Sequence, residues 1–92
     1  MSNENDQQDS IMKFPCVFAI KTMGLANTNF DAIALDIVRR HCVEASSDNV
    51  KIKLSKTGKY ISVSITITAQ SKKQMDAIYQ DLTDCEHVLM SL

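Results

Sequence analysis

Between positions 60 and 69 apolar and polar residues alternate without a break: Ile61, Val63, Ile65, Ile67 and Ala69 against Tyr60, Ser62, Ser64, Thr66 and Thr68. A period of two sends the first set to one face of a β-strand and the second to the other, and a slip of one residue would bury the whole hydroxyl row. The same alternation in Val50-Lys-Ile-Lys-Leu54 predicts a strand with Val50, Ile52 and Leu54 inward and Lys51 and Lys53 outward. Gly58, in Ser55-Lys-Thr-Gly-Lys59, supplies a residue able to take positive φ, so these two strands should form a hairpin. A further strand is expected over Phe14–Met23, rich in β-branched and aromatic residues, with Pro15 tolerated near its start and Gly24 ending it.

Two stretches carry a helical period instead. Phe30, Ile33, Ala34, Ile37, Val38 and Cys42 form one stripe and predict a helix over 28–43, capped by Asn27 or Thr28. Met75, Ile78, Tyr79 and Leu82 form another, and Ser71 with Gln74 reads as a capping box, which predicts a helix over 71–83. The apolar segment 87–92 suits a last strand at a sheet edge.

The resulting order, β-α-β-β-α-β, has few solutions. With right-handed crossovers it gives an α+β, ferredoxin-like sandwich: an antiparallel sheet of order 4-1-3-2, both helices on one face and the other face open. Residues 1–10 contain Glu4, Asp6 and Asp9 and no apolar residue after Met1, so a disordered acidic tail is expected over 1–12 before a single domain over 13–92.

Composition narrows the function. The chain has 92 residues, 45% of them hydrophobic, enough for one core without disulfide or metal staples. Lys plus Arg number 10 and Asp plus Glu 11, a balance that offers no broad attraction for nucleic acid or anionic membrane. Three scattered cysteines and no secretory leader point to reduced thiols in the cytoplasm. No apolar run approaches the ~20 residues that span a bilayer.

Phe14-Pro15, Phe18, Lys21, Met23-Gly24, Arg40-His41, Lys53, Ser55, Gly58, Tyr60 and Ser62-Val-Ser-Ile-Thr-Ile67, followed by Tyr79, Leu82, Val88, Met90 and Leu92, resemble the YbeD-like family of small bacterial proteins. The resemblance covers nearly everything after the tail, and the block from Gly58 to Ile67 is its most specific part. It implies a ferredoxin-like fold shared with ACT-type regulatory domains, and a non-enzymatic regulatory role with a lipoate-related label.

Other activities hosted by this fold need residues that are absent. Copper-chaperone-like domains place Cys-x-x-Cys in the first β-α loop, and Met23-Gly-Leu-Ala-Asn27 has no cysteine. Acylphosphatase-like enzymes hold phosphate there with an arginine, and none occurs between Phe14 and Val38. RNA-recognition domains stack bases on strand aromatics, and the outward side of the third strand offers Tyr60 alone. His41-Cys42 and Cys85 with His87 are zinc-binding residue types, but the topology places the pairs at opposite ends of elements about 20 Å long, too far apart for one ion. No nucleophile and base form a catalytic set, so neither enzyme activity, metal nor cofactor is expected.

Two binding places remain. One is the open sheet face, with Lys51, Lys53, Tyr60, Ser62, Ser64 and Thr66, beside which Val17, Ala19, Met23 and Lys21 of the first strand should leave apolar area exposed. It would serve a protein partner or self-association. The other is the first β-α loop, Gly24, Leu25, Asn27 and Thr28, where backbone N–H groups at a helix start would hold the carboxylate or phosphate of an amino acid or lipoate-related molecule.

Overall fold

A computed structural model describes residues 13–92. The acidic tail expected over 1–12 lies outside the described residues. Four strands, β1 (Cys16–Leu25), β2 (Val50–Leu54), β3 (Tyr60–Ala69) and β4 (Val88–Ser91), form one antiparallel sheet of order β2-β3-β1-β4. Helices α1 (Phe30–Arg39) and α2 (Lys72–Asp84) pack on one side of it, giving the ferredoxin-like arrangement.

Between helices and sheet sits the core. Ile20 of β1, Val63 and Ile65 of β3, Phe30, Ala34 and Val38 of α1, and Ile78 and Leu82 of α2 are wholly excluded from solvent. Each side chain buried in this way is worth roughly 1.5–3 kcal/mol against exposure, so this layer carries most of the stability. Thr22 is the one buried polar residue among the described ones. Its hydroxyl donates to the Met90 carbonyl at 3.1 Å and lies 3.2 Å from the Ser91 hydroxyl, tying β4 to β1.

Strands β2 and β3 begin and end where the alternation does. Gly58 takes φ of 75°, as the hairpin requires. The first strand and first helix are displaced from the sequence expectation. β1 runs through Gly24 to Leu25, because Gly24 pairs with Ile61 on one side and Val88 on the other. A short 3-10 turn, Ala26–Thr28, and a left-handed Asn29 (φ 55°) then reverse the chain, so α1 cannot start before Phe30. Neither Asn27 nor Thr28 caps it; Thr28 Oγ1 donates back to the Leu25 carbonyl at 2.9 Å.

At its other end α1 stops at Arg39, short of 43. Cys42 keeps its place on the buried stripe through one last helical bond, its N–H donating to the Val38 carbonyl. The second helix follows the expected span, with Ser71 Oγ accepting from the Gln74 N–H at 3.1 Å. Gln74 returns its Oε1 to the N–H of Gln70, one residue before the cap, at 2.7 Å.

The inward side of β2 departs furthest from expectation. Val50, Ile52 and Leu54 do face the helix side, in line with Ile65, Val63 and Ile61 of β3. Yet the helices do not reach over the sheet edge, and Ile52 and Leu54 stay 50% and 57% exposed.

Candidate functional site

The strand register builds the open face row by row. Lys21 of β1 and Lys51 of β2 stand on either side of Ser64, and Lys53 and Met23 stand on either side of Ser62, with Met90 of β4 beyond Met23. Ala19 lies beside Thr66 and Val17 beside Thr68. Cross-strand neighbours on one face lie about 4.5–5.5 Å apart at Cβ, so the long lysine side chains wall in the short serines between them. Ser62, Ser64 and Thr66 are accordingly half-buried, while the lysines are exposed. A small cleft of about 100 Å³ opens here, lined by Lys21, Met23, Ser62, Ser64, Met90 and Leu92.

The charge of this face is one-sided. None of the four strands contains an Asp or Glu. Among the described residues no carboxylate forms an ion pair with Lys21, Lys51 or Lys53. Tyr60 sits at the end of the face, its ring 5.5 Å from the Lys59 ammonium. The six residues expected on this face are therefore brought together. Lys21, Met90 and Leu92 complete it. The strand alternation already turned Lys21 outward, but its position across Ser64 from Lys51 depends on pairing between strands far apart in sequence.

The loop reading meets a different geometry. Gly24 lies inside β1, buried, and a Cβ there would fall 2.5 Å from Phe30 Cδ1 and 2.8 Å from the His87 carbonyl oxygen. The missing side chain makes room for the Phe30 ring, and no space for a ligand remains beside it. Leu25 and Asn27 meet the hairpin tip instead, lining a shallow hollow with Ala26, Gly58 and Lys59.

His41 ties the end of α1 to α2, whereas His87 is exposed, its ring 3.9 Å from the neighbouring Glu86 carboxylate. His41 Nε2 lies 2.6 Å from Asp81 Oδ2, and the His41 carbonyl accepts from Gln74 Nε2 at 2.7 Å. Cys42 is buried. Asp81 also lines a broad groove of about 550 Å³ between the helices, with Ile33, Asp36, Arg40, Cys85 and His87. Polar groups in this groove have partners: Arg40 reaches Asp36 at 3.3 Å, Asp81 meets His41 at its rim, and Asp84 accepts from Gln80 Nε2. No three His, Cys, Asp or Glu side chains among the described residues group as metal ligands.

Among the described residues, the open face thus differs from the groove in having cations with no carboxylate partner. A marked perturbation of a titratable group lies at the sheet's β4 margin. Tyr79 of α2 donates its hydroxyl to the Leu92 carbonyl at 2.7 Å, and burial pushes its phenol above the ordinary value of 10.0. No helix among the described residues is long and apolar enough to cross a membrane.

A family model described as "Protein of unknown function (DUF493)" matches residues 9–92. A UPF0250 protein of Vibrio parahaemolyticus is 36% identical over 90 residues, covering 98% of this chain and 96% of its own. Another, from Nitrosomonas europaea, is 34% identical over 85 residues, or 92% of this chain and 98% of its own. One from Neisseria meningitidis is 30% identical over 89 residues, or 97% and 98%. Among solved structures, protein HP0495 of H. pylori, determined in solution, is similar with a TM-score of 0.64 at 14% identity, covering 88% of this chain and 85% of that one. At that identity the likeness is one of fold.

Proposed function

The chain belongs to the DUF493 family of small bacterial proteins, also called UPF0250 and YbeD-like, and from its geometry we propose that it is a non-enzymatic interaction module whose open sheet face binds an acidic surface of another protein. The observation that carries this reading is the row Lys51-Ser64-Lys21, with Lys53 in the next row, on a sheet whose strands contain no carboxylate. Beside the lysines lie Met23, Met90, Leu92 and Val17, the last three of them exposed. Cations rimming an apolar strip suit a partner that buries the strip and supplies carboxylates to the rim.

Self-association through this face is the less favoured form. A two-fold contact sets the same patch against itself, so three lysines would meet three lysines. The repulsion would be felt well within the ~8 Å screening length of physiological salt. For the first β-α loop, the Phe30 ring beside Gly24 weighs against a sensing pocket.

Reversal of all three charges, Lys21→Glu with Lys51→Glu and Lys53→Glu, tests the reading. These residues are exposed, so unfolding should shift little, within about 0.5 kcal/mol per site. Crosslinking in the native cell should yield a partner adduct that the reversed protein loses. An equal adduct from both proteins would sink the reading.

A further inference from the structure

The outer edge of β2 adds a second kind of recognition to these lysines. β2 ends the sheet, with β3 on one side and no strand on the other among the described residues. The hairpin fixes which backbone groups face outward. Ser55 donates its N–H to the Tyr60 carbonyl at 2.9 Å, and antiparallel pairs alternate between bonded and unbonded residues. Lys53 opposite Ser62 and Lys51 opposite Ser64 therefore turn their N–H and C=O toward β3. Ile52 and Leu54 turn theirs to the open edge.

The same two residues carry the exposed apolar side chains on the helix side of β2, at 50% and 57% exposure, while Lys51 and Lys53 project from the open face. The edge thus presents backbone donors and acceptors that no described residue pairs with, apolar side chains below and cations above, in strict alternation.

A second copy does not fit this edge. Antiparallel pairing of β2 with its twin about Ile52 would set Lys51 directly opposite Lys53, and like charges directly opposite destabilise a sheet. Lysines on an edge strand act against such self-pairing. A strand bearing carboxylates at those positions reverses the sign of that term.

We propose that the β2 edge receives, as a fifth strand, an extended segment of a partner protein in which apolar and acidic residues alternate. Its backbone pairs with Ile52 and Leu54, its apolar side chains cover those of Ile52 and Leu54, and its carboxylates meet Lys51 and Lys53. This rests on the acidic-partner reading of the lysines and adds strand pairing to it.

The test uses the full chain and short acetylated, amidated peptides. One alternates valine with glutamate, one alternates valine with lysine, and one is the valine-glutamate peptide with its edge-facing amides N-methylated. Binding is read by chemical-shift titration and by hydrogen exchange. The valine-glutamate peptide should bind and slow exchange at the amides of Ile52 and Leu54 at least tenfold. The valine-lysine peptide should not bind the native protein, and should bind the Lys51→Glu, Lys53→Glu variant, which in turn loses the valine-glutamate peptide. N-methylation should weaken binding at least tenfold without touching any charge.

Ile52→Pro checks the same point from the protein side, because it removes a donor that faces solvent and leaves the pairing with β3 intact. Equal binding of the N-methylated peptide would overturn strand addition while leaving the charge reading standing. Equal binding by the charge-reversed variant would overturn both. Failure of the valine-glutamate peptide to bind at millimolar concentration would overturn strand addition alone.

Discussion

The two faces of β3 are built from ten consecutive residues and do opposite work. On one, Ile61, Val63, Ile65, Ile67 and Ala69 are buried beneath the helices. On the other, Ser62 lies half-buried between Lys53 and Met23, Ser64 between Lys51 and Lys21, and Thr66 beside Ala19. The first face is closed by this chain's own helices. Among the described residues the second is covered by no helix, and its flanking lysines have no carboxylate partner. On the proposed reading, stability and recognition fall on alternate residues of one strand, so adjacent substitutions should separate them.

The widest separation is expected between positions 64 and 65. Ile65→Ala removes a wholly buried side chain from the close-packed core cluster at the sheet centre. About 2–5 kcal/mol should be lost, read as a lower denaturant midpoint at unchanged slope. Ser64→Ala should move the same midpoint by no more than about 0.5 kcal/mol. Comparable losses from the two would erase the distinction between the faces.

A smaller effect sharpens the boundary between fold and site. Gly24→Ala places a methyl group against the Phe30 ring and the His87 carbonyl, at separations real Cβ atoms do not adopt. The ring and the β4 entry must both shift, at a cost of about 1–3 kcal/mol. Thermal unfolding would register the loss, and exchange should quicken first in β4. A stability gain instead would show that the strand had room for a side chain, and would reopen the space beside Gly24 to a ligand.

What was legible in the sequence follows from how local each signal is. The limits of β2 and β3 were readable to the residue because a period of two, interrupted at both ends by polar residues, has one solution. The topology followed, since right-handed crossovers leave no other order for six such elements. The start of α1 was not readable, because Asn29 adopts a left-handed conformation that the apolar stripe does not mark. Gly24 was read as punctuation, although a glycine flanked by strand residues is equally a sign of close packing. The open face was legible as a set of outward residues on β2 and β3. Its charge pattern was not, because the meeting of Lys21 with Lys51 across Ser64 depends on the register of β1. Nor does any period show that the helices stop short of Ile52 and Leu54.

The smallest expected effect lies where the two faces meet, at the β4 margin. Tyr79 projects from α2, on the helix side, and its hydroxyl holds the carbonyl of Leu92, whose side chain lines the cleft on the open side. Tyr79→Phe removes that donor and leaves a carbonyl which water can reach, so about 0.5–1 kcal/mol should be lost. Exchange at the Leu92 amide, which donates to the Lys21 carbonyl at 2.7 Å, should quicken while core amides stay protected. The pH dependence has a definite sign. Burial raises the phenol above 10.0, so the folded state holds its proton more tightly than the unfolded chain. The contribution is fully present below pH 10 and falls away as pH rises through the folded value, where the phenolate also ceases to donate. An alkaline stability curve should therefore drop more steeply in the native protein than in Tyr79→Phe. Coincident curves would mean that Tyr79 does not hold the β4 margin, and that the cleft wall formed by Leu92 is set by β1 alone.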